Sequence, residues 1–165
     1  MTNLKQEIQQ KEPFSSLEEE VFLNLLRSAD CLRRVFQQKT HAWGLTITQY
    51  NVLRILRGAA PDGLACAAIG ARMIASVPDI TRLLARLKAL KLVRQRRDRR
   101  DRRVVCTQIT PAGLELLHAM DPAIEKAPAE MVGHMSHAEM KELIRLLEQT
   151  RSAACDKPPK EKQKR

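Results

Sequence analysis

The sequence predicts a mainly α-helical fold carrying one small β-hairpin. Three observations predict it. Apolar residues recur at helical spacing behind Ser/Thr-x-x-Glu/Gln/Asp pairs, which cap helix N-termini. Two short segments rich in β-branched residues lie close together near the middle of the chain. Between them, residues 94–103 read RQRRDRRDRR, a block too charged to be buried and flanked on both sides by apolar chain.

The elements follow in order. Ser16 and Glu19 precede a stripe of Leu17, Val21, Leu25, Leu32 and Phe36, widened by Phe22 and Leu26, so a long helix is expected over about 16–40. Gly44 interrupts it. Thr46 and Gln49 open a second helix with Tyr50, Leu53, Ile55 and Leu56, ending near 57. Gly58, Pro61, Asp62 and Gly63 form a turn cluster. Residues 65–73 make a short helix of small side chains. Ser76 and Asp79 are expected to cap the next one, with Pro78 in its first turn and Ile80, Leu83, Leu84 and Leu87 on one face to about 90. Leu92 and Val93 begin one strand, and Val104, Val105, Thr107 and Ile109 form the other; the arginine block is the hairpin tip. Thr110-Pro111 opens a helix with Leu114, Leu116, Leu117 and Met120, which Pro122 and Pro128 are expected to kink or break. Ser136 and Glu139 cap a last helix whose stripe is Met140, Leu143, Ile144 and Leu147, at i, i+3, i+4 and i+7.

Short helices followed by a charged hairpin describe a winged helix-turn-helix. It is flanked by long helices at the two chain ends, about 16–40 and 111–152, with the core over about 45–110. The apolar stripes of the long helices exceed what one small domain covers, which predicts a two-fold homodimer. A polar arm over 1–15 and a basic tail over 153–165 complete the organisation.

Composition narrows the function. The 165 residues carry a formal net charge of +10 and are 44% apolar, enough for a packed core. The arginine block holds seven arginines and two aspartates but no lysine. Planar guanidinium groups suit phosphate and groove recognition, so nucleic acid is the expected partner. Only 3% of residues are aromatic, few for stacking single-stranded bases, and duplex DNA fits better. No apolar run reaches the roughly 20 residues of a membrane span. The cysteines Cys31, Cys66, Cys106 and Cys155 are isolated, with no zinc-ligand or redox-pair spacing, which points to the cytoplasm. No phosphate loop, nucleophile elbow or zinc-protease motif is present, so no enzyme, cofactor or metal is expected.

Over about residues 16–150 the chain resembles the MarR family of bacterial transcription regulators. The resemblance rests on LTITQYNVLRIL at 45–56, Arg72-Met73, PDITRLLARL at 78–87, Leu92-Val93, the wing pattern Asp98-x-Arg100-x-x-Arg103 and ITPAGLELL at 109–117. Lys91 departs from it, standing where the family usually has glycine at the end of the recognition helix. The resemblance implies a dimeric winged-helix protein bound to palindromic DNA, usually near its own gene. It further implies a response to small aromatic or phenolic ligands, or in some members to oxidants through a cysteine in the first helix.

Candidate site residues follow. Stepping about 100° per residue along the 76–90 helix puts Arg82, Ala85, Arg86 and Ala89 outward, with Thr81 at the border. Ser76, Pro78, Asp79, Thr81, Arg82 and Arg86 are the candidates for the major groove, where residues near a recognition helix N-terminus reach base edges. In the wing, Arg96, Arg100, Arg102 and Arg103 are candidates for phosphate or a narrow minor groove, and by resemblance Arg103 is the minor-groove arginine. Asp98 and Asp101 repel phosphate, and their expected role is to orient neighbouring arginines. Phe36, His41, Trp43 and Tyr50 are candidates for a ligand pocket, or else pack the junction of the first two long helices. Cys31, near Arg33 and Arg34, is the candidate redox residue, or else a small buried hydrophobe. His134 and His137 lack a third ligand and are read as surface residues.

Overall fold

Residues 3–97 and 104–155 are described by the computed structural model. In order they form α1 (Leu4–Glu7), α2 (Leu17–His41), α3 (Ile47–Arg57), β1 (Leu64–Ala65), α4 (Cys66–Arg72), α5 (Ile80–Ala89), β2 (Val93–Arg97), β3 (Val105–Ile109), α6 (Pro111–Val132) and α7 (His137–Cys155). The chain divides into two compact units, Met1–Ile124 and Glu125–Arg165.

Local capping chemistry sets most helix starts. Thr46 accepts the Gln49 N–H at 3.2 Å while the Gln49 side chain accepts the Thr46 N–H at 2.8 Å. Ser136 and Glu139 exchange the same pair of bonds at the head of α7. Each box satisfies two backbone donors that helix geometry leaves unpaired. At α2 the pattern is split: Ser16 accepts the Glu19 N–H, but the Glu19 carboxylate turns to Ser15, taking its N–H and hydroxyl at 2.7 Å each.

The structure adds to or departs from the expected elements at three places. The arm over 1–15 contains α1, a single turn closed by a box between Asn3 and Gln6, with Leu4 buried and Glu7 paired to Arg27 of α2 at 3.3 Å. Ser76 does not cap α5; Asp79 does, accepting the Arg82 N–H at 2.8 Å, so Ser76 and Pro78 precede the helix. Proline drives the residue before it out of the helical region, and Asp79 itself has non-helical φ −131° and ψ 80°. Pro122 and Pro128 do not end α6, which is assigned as one helix from Pro111 to Val132. Each removes one N–H from the ladder, and in the first unit the burial of Leu117, Met120 and Ile124 holds the helix against that loss.

The three strands form one antiparallel sheet in the order β1-β3-β2. In the hairpin Val93 pairs with Ile109, Gln95 with Thr107 and Arg97 with Val105. Gly63, at φ +78°, precedes β1; a Cβ there would collide with the Thr107 carbonyl oxygen, so this turn requires glycine. The core of the first unit gathers Leu45, Tyr50, Val52, Leu53 and Leu56 around α3, Ile69 of α4, Leu83, Leu84 and Leu87 of α5, Val93 and Ile109 of the sheet, and Leu117 and Met120 of α6. Among the described residues no helix is long and apolar enough to cross a membrane.

Candidate nucleic-acid interface

Helix α5 is the centre of the site. Its inner face is sealed by Leu83, Leu84 and Leu87, each in the core. Thr81, Arg82, Ala85, Arg86, Lys88 and Ala89 are all exposed. The outward face therefore alternates two guanidinium side chains one turn apart with two methyl groups, leaving the helix backbone approachable between them. Ser76, Pro78 and Asp79 are exposed in the connector that leads into it. The Asp79 carboxylate is occupied with the Arg82 N–H, which makes it a cap in this structure.

The far end of α5 is closed without glycine. Lys91 adopts φ +60°, its N–H donates to the Lys88 carbonyl at 2.9 Å, and the Leu92 N–H donates to the Leu87 carbonyl at 3.1 Å. That bond pair is a Schellman motif, so Lys91 makes the turn the family usually gives to glycine. The motif aims the chain directly into β2, which packs beside α5.

The arginine block begins inside the strand. Arg94, Arg96 and Arg97 belong to β2 and are exposed. Arg94 Nε donates to Gln108 Oε1 at 3.1 Å, and Gln108 Nε2 donates to the carbonyls of Pro61 and Asp62 at 2.7 and 3.0 Å. The base of the wing is thus tied to the turn before β1 through one buried carboxamide, a role that strand alternation alone does not reveal. Asp98, Arg100, Asp101, Arg102 and Arg103 lie outside the described residues, as does the basic tail beyond Cys155.

The candidate sensing residues separate. Phe36 and Tyr50 meet with ring centroids 5.8 Å apart at 59°, while His41 and Trp43 are exposed. Burial pushes the Tyr50 phenol above its ordinary value, against the opposing charge of Arg54, whose guanidinium lies 5.9 Å from the ring centroid. Cys31 is half-buried, with Arg34 Nη2 at 3.5 Å from its sulfur. Asp30 pairs with Arg33 at 2.8 Å and Arg34 at 3.1 Å; the hydrogen bond from Arg33 is the main reason its carboxyl titrates below the ordinary range. A cavity of about 610 Å³ is lined by Arg33, Arg34, Gln37, Thr48 and Ser76 among others, and by none of the four residues expected to line a pocket. Among the described residues no three His, Cys, Asp or Glu side chains are grouped to hold a metal.

A helix-turn-helix with a strand-borne arginine wing defines a winged-helix protein. Residues 43–104 match the family model described as MarR family. A MarR transcription factor from Planctomyces limnophilus is 37% identical, covering 83% of this chain and 99% of its own, with a TM-score of 0.63. BpsR of Bordetella bronchiseptica, whose DNA binding is regulated by 6-hydroxynicotinic acid, is 26% identical over 89% of this chain and 100% of its own, with a TM-score of 0.74. MepR of S. aureus, solved as a DNA complex, shares the fold at 22% identity and a TM-score of 0.71, over 81% of this chain and 96% of its own. No curated protein matches the chain. The chain belongs to the MarR family of transcription regulators.

Proposed function

We propose that this protein is a homodimeric repressor that binds a palindromic duplex operator and is released by a small ligand. The observation that carries the reading is the outer face of α5, where Arg82 and Arg86 stand exposed on a helix whose other face is locked into the core. Arginine reaches guanine O6 and N7 or phosphate from such a face, and Ala85 and Ala89 let it enter a major groove. Ser76, Pro78 and Thr81 extend the contact, and Arg96, Arg100, Arg102 and Arg103 follow the backbone into the flanking minor groove, with Asp98 and Asp101 orienting them.

The dimer is supported by surface that one chain leaves exposed. On α2, Leu17 is 73% and Phe22 58% accessible, beside Val21, Leu26, Leu32 and Val35; on α7, Leu143, Ile144 and Leu146 are also exposed. Apolar faces of this extent mark association surfaces. Two recognition helices about one helical turn of DNA apart would then read an inverted repeat. Release by a small ligand is supported by BpsR, whose DNA binding is regulated by 6-hydroxynicotinic acid.

Selection of random duplexes by the purified protein tests this. Recovery of an inverted repeat with half-sites about 10 bp apart is the expected result. Salt-sensitive binding without a recovered motif rejects it in favour of sequence-blind binding.

A second reading, oxidant sensing, is favoured by the half-buried Cys31 thiol on the first long helix, with Arg34 Nη2 at 3.5 Å from its sulfur. Loss of operator binding on peroxide treatment, abolished by Cys31→Ser and reversed by thiol, is its expected signature.

A further inference from the structure

Asn51 is a polar residue in the buried face of α3, flanked by Tyr50, Val52 and Leu53, all in the core. An unpaired buried carboxamide is costly, and asparagine is a weak helix former, so packing and propensity both argue against it there. Its Oδ1 accepts the Ile74 N–H at 3.1 Å. Ile74 follows the end of α4, where Met73 turns the chain out of the helix. The Ile74 side chain is 85% accessible and contributes nothing to the core. What this residue offers the fold is its backbone N–H, and Asn51 takes it.

The connector from Met73 to Asp79 carries the exposed Ser76 and Pro78 and delivers Arg82 to the surface through the Asp79 cap. Met73 and Val77 pin it to the core by apolar packing, which is non-directional. The Asn51–Ile74 bond adds a directional constraint, because a hydrogen bond loses strength when its angle or distance slips. We propose that Asn51 is a positioning residue for sequence discrimination: its carboxamide oxygen, acting through the Ile74 N–H, fixes where the N-terminal end of α5 meets DNA. The inference rests on α5 being the recognition helix.

Base readout is sensitive to small displacements, whereas phosphate attraction is not. Asn51→Leu is therefore expected to reduce the ratio of operator to scrambled-duplex affinity on the order of tenfold, within the cost of one mismatched pair. Affinity for the scrambled duplex and its salt slope stay unchanged. Asn51→Asp retains the acceptor and is expected to restore the ratio and the slow exchange of the Ile74 amide, which Asn51→Leu accelerates. If Asn51→Leu lowers the melting temperature but leaves the ratio at the wild-type value, Asn51 is structural and the inference is overturned. Should Asn51→Leu not fold, Asn51→Ser, too short to reach, takes its place in the same comparison. A wild-type protein with no preference between the two duplexes overturns the recognition-helix reading and this inference with it; a wild-type preference left intact by the variants overturns this inference alone.

Discussion

The Thr110 hydroxyl donates to the Lys91 carbonyl oxygen at 2.8 Å and accepts the Gly113 N–H at 3.1 Å. One hydroxyl thus joins the left-handed residue that closes α5 to the first turn of α6. The connection spans the hairpin, so α5, the base of the hairpin and α6 meet at a single polar group.

Lys91 holds φ +60° with a Cβ, a conformation that costs an L-residue roughly 1–2 kcal/mol. Glycine removes that strain but adds unfolded-state entropy worth about 0.4–1 kcal/mol. Lys91→Gly is expected to stabilise the protein by about 0.5–1 kcal/mol, the difference between those two effects. Thr110→Val, which removes a helix cap, is expected to cost about 1 kcal/mol. Urea unfolding of both variants checks the pair, and a destabilising Lys91→Gly contradicts the strain assignment.

Arg57 Nη1 reaches both carboxylate oxygens of Asp121, at 2.9 and 2.8 Å, tying α3 to α6. Both side chains keep solvent contact, 38% and 24% accessible, so screening limits the pair. A double-mutant cycle with Arg57→Met and Asp121→Asn is expected to give a coupling of about 0.5–1 kcal/mol. A coupling indistinguishable from zero would show that the bridge does not hold the two helices.

The fold was legible where the determining contact is local. Thr46 with Gln49 and Ser136 with Glu139 are three residues apart, and sequence spacing alone identifies both boxes. The inward stripe of α5 was legible for the same reason, since Leu83, Leu84 and Leu87 obey one helical period. Longer-range choices were not. Strand β1 is two residues long and exists through its pairing of Leu64 with Thr107 and Ala65 with Cys106. Glu19 had two serine partners in reach and took Ser15. Of the site, the exposed arginines of α5 followed from periodicity, but Asn51, Gln108 and the Arg33–Arg34 cavity depend on residues ten to nearly fifty positions away. No spacing rule encodes those.

Glu139 titrates below the ordinary glutamate range, chiefly because the Ser136 hydroxyl donates to it, then because the Ser136 N–H does, with His134 adding a favourable charge. A carboxyl whose folded-state value is depressed contributes stability above its unfolded value, about 4.3, and loses it as pH falls through the lower folded value. Glu139→Gln keeps an acceptor in the capping box but cannot titrate. Wild type is therefore expected to be the more stable of the two near neutral pH, with the gap closing from about pH 4.3 downward. Urea midpoints measured from pH 7 to pH 3 test this. A gap that widens on acidification has the wrong sign for this arrangement.

Arg82 and Lys88 both lie exposed on α5, but at different ends. Arg82 stands one turn inside the N-terminus, where recognition helices meet base edges, and its guanidinium presents a planar fork to guanine. Lys88 lies in the last turn beside Arg86, with a point charge suited to phosphate. Arg82→Ala is expected to relax base preference at one position of each half-site, costing about 1–3 kcal/mol on the preferred operator and little on a scrambled duplex. Lys88→Ala is expected to weaken both duplexes alike and to lower the salt slope by about one. Arg103→Ala is expected to behave like a lost groove contact, reducing both affinity and salt slope. Titrating the three variants against operator and scrambled DNA at several salt concentrations separates these outcomes. Identical base preferences for Arg82→Ala and Lys88→Ala would remove Arg82 from direct readout and shift specificity to the connector and the wing.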